Sequence, residues 1–156
     1  MNKYEALLSE SPVTIDDCAD LPPNYSGLYI EIGKSKAIFI DKAVKIRNKK
    51  TCILADELGH YYTTSGNILD LTDIRNRKQE LRARNWAYEK LIPLQSLVEA
   101  SKEGIRNRYE LAEYLDVTEA FLGEALSHYK GKYGLYAMWT SYVIYFEPLG
   151  VIELYE

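Results

Sequence analysis

Histidine and cysteine are both scarce, at 2 residues each in a chain of 156. Two cysteines, Cys18 and Cys52, cannot build a disulfide framework, and Cys52 falls in an apolar helical run that reads as reduced core. No apolar stretch approaches membrane-spanning length. The opening "MNKYEALLSESP" lacks the apolar segment of a secretory signal. The expected setting is therefore a soluble protein in a reducing cytoplasm. Positive charge is not in excess either. The formal net charge is −4, which removes the electrostatic motive for a nucleic-acid partner. Phenylalanine is sparse and tyrosine abundant, 3 against 14, and tyrosine suits half-buried positions with one wet end. What remains is globular: 47% apolar and 27% charged residues, at a length that fits one domain with an ordinary core.

The pattern along the chain is a mixture of helices and strands, which argues for α+β. "NKYEALLSE" predicts a short helix ended by Pro12. "TIDDCADLPPNYS" reads as a loop stiffened by Pro22 and Pro23. "GLYIEIGKSKAIFIDK" predicts a β-hairpin, with Leu28, Ile30 and Ile32 alternating with Tyr29 and Glu31 around a Gly33-Lys34-Ser35 turn. Asn48 is placed to cap a helix through "KKTCILADELGHYYTT" that stops at Ser65-Gly66. A polar loop, "GNILDLTDIRN", leads to a second long helix, "RKQELRARNWAYEKLI", closed by Pro93. A third follows over 94–100. "NRYELAEYLDVTEAFLGEALSHYKGKYG" predicts two helices joined by a tight turn, with Asp116 and Glu119 spaced as a capping box. The tail predicts two strands around Pro148-x-Gly150. Within one domain, 1–156, these group as a core over 1–93, a helical part over 94–134 and a β-rich tail over 135–156.

The chemistry concentrates in "ILADELGHYYTT". Positions four apart share a helix face. In H-E-x-x-H that spacing lets two imidazoles grip one Zn²⁺ while the adjacent glutamate polarises water. Here Asp56 and His60 occupy the ligand positions and Glu57 the base position. Taken alone, E-x-x-H recurs by chance, and Glu57 and His60 also read as ordinary polar helix residues.

A hairpin, then "ILADELGHYYTT", then "RARNWAYEKLIP" resembles the ImmA/IrrE family of zinc metallopeptidases, small proteins common in prophages and integrative elements. The resemblance runs from the hairpin to about Pro93 and rests on Glu57-Leu58-Gly59-His60 with Ala83, Trp86, Ala87, Leu91 and Pro93. It implies a zincin-like fold, a small antiparallel sheet packed on helices. It also implies Glu57 as general base and His60 as zinc ligand. Two departures stand out. Asp56 replaces the first histidine, and in the same register Arg82 replaces the glutamate ligand.

Two readings follow from those departures. Asp56 and Arg82 face each other as an ion pair in place of the metal, which is the reading favoured here. Alternatively the metal site is rebuilt around Asp56 and His60, with Glu89 as a weak further ligand on the Arg82 face. Glu80 points nearly the opposite way and is the poorer candidate. His128 lies far along the chain near a helix end. Of the Tyr61-Tyr62 pair, packing is the expected role. The helical pair has helix-turn-helix spacing, yet Glu119 and Glu124 on its second helix oppose DNA phosphates, so protein docking fits it better.

What the resemblance implies is cleavage of a regulatory protein, typically a helix-turn-helix repressor, by a prophage or mobile-element peptidase using zinc. The alternative is a degenerate, metal-free member that binds the regulator without cutting it. Neither reading involves nucleic acid or a membrane.

Overall fold

A computed structural model of the chain describes residues 1–63 and 74–155, with side chains described for all of these except 74–76. The expected end of the first long helix at Ser65-Gly66, and the polar loop up to residue 73, lie outside the described residues. The chain divides into two compact units, Met1–Ala87 and Tyr88–Glu156. Both are mixtures of helices and strands, so the class is α+β.

The first unit holds α1 (Lys3–Glu10), β1 (Thr14–Ala19), β2 (Gly27–Ile32), β3 (Ser35–Asp41), α2 (Arg47–Thr63) and most of α3 (Ile74–Leu91). Asn2 caps α1 through a capping box with Glu5. The three strands form one sheet in the order β1-β3-β2, with β1 parallel and β2 antiparallel to the central β3. Part of the segment expected as a loop is thus a strand. Its two aspartates and the prolines beyond it hid the pattern. Asp16 and Asp17 are tolerated because, among the described residues, β1 lies at the sheet edge and only Ala19 along it is buried.

The hairpin forms as expected, with Ile32 opposite Ser35 across Gly33-Lys34. Gly33 takes a φ of +61°, which the first position of a type II′ turn requires. The buried face is the other one from the aliphatic alternation, however. Tyr29, Ile38 and Ile40 are buried, whereas Ile32 is 73% exposed. Tyr29 sits directly opposite Ile38, and its hydroxyl donates to Glu31 at 3.3 Å, so a tyrosine fills this inner position while keeping its polar end satisfied.

That inner face packs on α2. Gly27 marks the closest approach: a Cβ there would lie 2.5 Å from Ile53 Cγ2 and 3.1 Å from Glu57 Oε1. Asn48 is the second residue of α2 rather than its cap, since the helix starts at Arg47 and the Lys50 N–H donates to the Ile46 carbonyl. Cys52 is half-buried rather than core, and both cysteines are free.

The second unit holds α4 (Leu94–Lys102), α5 (Arg108–Leu115), α6 (Glu119–Tyr133) and a sheet of β4 (Tyr136–Trp139), β5 (Tyr142–Phe146) and β6 (Leu149–Glu153). The tail therefore contributes three antiparallel strands in the order β4-β5-β6 rather than two. Its core is Leu97, Val98, Leu122, Tyr129, Ile144 and Phe146, with the Tyr129 hydroxyl donating to the Ile92 carbonyl at 2.6 Å. The cap of α6 is Thr118, whose hydroxyl accepts from the Phe121 N–H. Asp116, expected in that role, instead ends α5 in the left-handed conformation with φ 58°. Aspartate is among the few side chains that tolerate this conformation. Among the described residues no helix is long and apolar enough to cross a membrane.

Candidate metal centre

The site lies in the first unit, where α2 meets α3 beneath the edge of β2. Asp56 and His60 stand one turn apart on α2, and Glu80 reaches them from α3. One ligand atom from each of the three lies within 4.8 Å of the others. His60 is the fixed member, with its side chain 7% exposed, and its Nε2 lies 3.0 Å from Glu80 Oε2. Asp56 is partly open, and its Oδ1 is 3.7 Å from Arg84 Nε.

Glu57 is buried beside this trio. Burial pushes its carboxyl up to about 8. The nearby His60 opposes that rise, Asp56 and Glu80 add to it, and the Tyr29 backbone N–H bonded to Glu57 opposes it. His60 behaves differently. Burial alone would depress it, but the Glu80 hydrogen bond and the charges of Glu57, Glu80 and Asp56 raise it above the ordinary imidazole value. Glu80 is correspondingly lowered, chiefly by its hydrogen bond to His60 and against its own burial. The His60–Glu80 hydrogen bond thus holds two of the ligand atoms together.

The donor set fits a divalent cation. One imidazole nitrogen and two carboxylates are three protein ligands, the number usual in a catalytic zinc site. Ligand bonds of about 2.0–2.2 Å require the trio to contract from its 4.8 Å limit. The partly exposed side chains of Asp56 and Glu80 have room for that adjustment, while His60 stays packed.

The expected residues divide sharply on this geometry. Asp56, Glu57 and His60 come together. Arg82 does not join them: it is exposed, and the guanidinium beside Asp56 belongs to Arg84. The reason is the face of α3. At about 100° per residue, Glu80 and Arg82 point about 160° apart. Ala83 and Ala87 are both fully buried, and Glu80 lies within about 60° of both. Burying these alanines, with Ala83 against Gly59 of α2, therefore turns Glu80 inward and Arg82 out.

Glu89, offered as an alternative ligand, falls on the Arg82 face, about 180° from Glu80. Its carboxylate is bonded instead by His128 Nε2 at 2.9 Å and Lys132 Nζ at 2.8 Å. Arg84 was not among the expected residues. The signal for both Glu80 and Arg84 was the Ala83/Ala87 pair, small residues four apart that mark a close helix–helix contact. Tyr61 and Tyr62 pack as expected: Tyr62 stacks on Trp86 at 4.8 Å, and Tyr61 meets Tyr29 edge-on at 6.1 Å.

A metallopeptidase-type domain is the class this arrangement points to. The chain belongs to the Peptidase_M78 family, described as the IrrE N-terminal-like domain, whose family model matches residues 18–127. No curated protein and no solved structure matches it.

Proposed function

We propose that this chain is a metal-dependent endopeptidase of zincin-like fold. It acts on a regulatory protein, such as a helix-turn-helix repressor, encoded with it on a prophage or mobile element. The observation that carries this reading is the convergence of Asp56, His60 and Glu80 beside the buried carboxyl of Glu57. Asp56, His60 and Glu80 would hold the cation, which supplies Lewis acidity toward water and a peptide carbonyl.

Glu57 takes the proton of the attacking water and returns it to the leaving amine. Burial raises its proton affinity above that of an ordinary carboxylate, and a cation held beside it would offset part of that rise and leave it ionised to receive the proton. The Tyr29 N–H fixes its orientation. Among the described residues β2 is an edge strand, and an edge strand suits an extended peptide, whose main chain pairs with it while side chains alternate.

The test is Glu57→Gln. Cleavage of the co-encoded repressor should be abolished while the circular dichroism spectrum and metal content are kept. Cleavage that persists would remove Glu57 from the mechanism.

A second reading has its own support. The His60–Glu80 hydrogen bond and the Asp56–Arg84 contact tie the cluster's members to one another and to a cationic side chain of the protein. A metal-free chain that binds the regulator without cutting it would use that arrangement.

A further inference from the structure

The three ligands proposed above are one nitrogen and two carboxylate donors. Asp56 is the member whose identity decides that count. His60 is fixed by burial and Glu80 by its 3.0 Å contact to His60. Asp56 stands one turn away, half-open, with Arg84 on one carboxylate oxygen. Bonds from carboxylate oxygen to a dication are largely ionic and depend weakly on which first-row metal is bound. Bonds from imidazole nitrogen or thiolate are more covalent and favour Zn²⁺ strongly over Mn²⁺. Carboxylates also bind through one or both oxygens, so a site rich in them accommodates the higher coordination numbers that Mn²⁺ prefers.

We infer that Asp56 is the selectivity-determining residue of this centre, and that its carboxylate makes the site accept Mn²⁺ alongside Zn²⁺ where a nitrogen or sulfur donor at the same position would favour Zn²⁺. The inference rests on the metal-binding reading above and extends it to which cation is held. Arg84 supports it. Its Nε stands 3.7 Å from Asp56 Oδ1, and a positive neighbour favours an anionic oxygen donor at that position over a neutral imidazole.

The test is competitive titration of the chelator-stripped full chain with Zn²⁺ and with Mn²⁺. Bound Zn²⁺ is read against a chromophoric chelator, and free Mn²⁺ by its electron paramagnetic resonance signal. The parent is compared with Asp56→His and with Asp56→Cys, which keeps a short side chain should the histidine variant fold poorly. The ratio of the Mn²⁺ to the Zn²⁺ dissociation constant should rise roughly tenfold or more in both variants relative to the parent. The same ratio in parent and folded variants would overturn the selectivity role while leaving the metal site intact. Failure of the parent and both variants to bind either ion would overturn the metal centre itself, and this inference with it.

Discussion

Gly59 on α2 lies against the backbone of Ala83 on α3, so closely that a Cβ at residue 59 would stand 2.2 Å from the Ala83 carbonyl oxygen. The obstacle is backbone, which cannot swing aside as a side-chain tip can. This contact sets the separation of the helices that carry His60 and Glu80. Gly59→Ala should therefore destabilise the fold by about 1–3 kcal/mol through overpacking. Urea unfolding of the variant measures this, and a midpoint equal to the parent's would refute the contact.

The register of α3 makes a separate prediction. In the metal-free protein, Glu80 is among the groups that raise the pKa of His60. Glu80→Ala should lower it, because burial then acts with less opposition. Arg82→Ala should leave it unmoved, since Arg82 faces solvent. With only 2 histidines in the chain, NMR titration of the ring signals resolves the effect. A shift in the Arg82 variant and none in the Glu80 variant would return the helix to the register that the family resemblance suggested.

Acid stability should depend on Asp17. It accepts from the Tyr4 hydroxyl at 2.7 Å and from Lys50 Nζ at 3.1 Å. The Tyr4 and Lys50 hydrogen bonds hold its carboxyl below the ordinary value, against a smaller effect of burial. A depressed folded value means that the stabilisation is complete above the unfolded value of about 3.9. It is lost as pH falls through the lower folded value. Asp17→Asn should cost about 1 kcal/mol at neutral pH, a modest figure because the group is partly exposed to screening solvent. The difference from the parent should vanish in strong acid. A difference that does not change between neutral and acid denaturation curves would contradict it.

Much of this molecule was readable from the chain because local signals agreed with tertiary ones. The hairpin, both long helices and the α2 cluster of Asp56, Glu57 and His60 each rest on a spacing that the fold keeps. The failures have a common cause. β1 was missed because an edge strand can carry aspartates that a central strand cannot. In β2 the aliphatic alternation of Leu28, Ile30 and Ile32 does not mark the buried face, because the face against α2 takes Tyr29, a large ring with a polar end. Glu80 was set aside because the motif register pointed at Arg82, and the two cannot face the same way. In each case the deciding fact was which face met a neighbour, which spacing within one segment does not reveal.

The central claim is that Asp56, His60 and Glu80 form a metal centre, and metal content tests it most directly. The full chain, purified without a metal-binding tag and analysed by inductively coupled plasma mass spectrometry, should hold close to one transition-metal ion per molecule. Glu80→Ala should lose it and Arg82→Ala should keep it. A folded parent with no bound metal after incubation with either Zn²⁺ or Mn²⁺, or a Glu80→Ala variant that retains the parent's stoichiometry, would contradict the account.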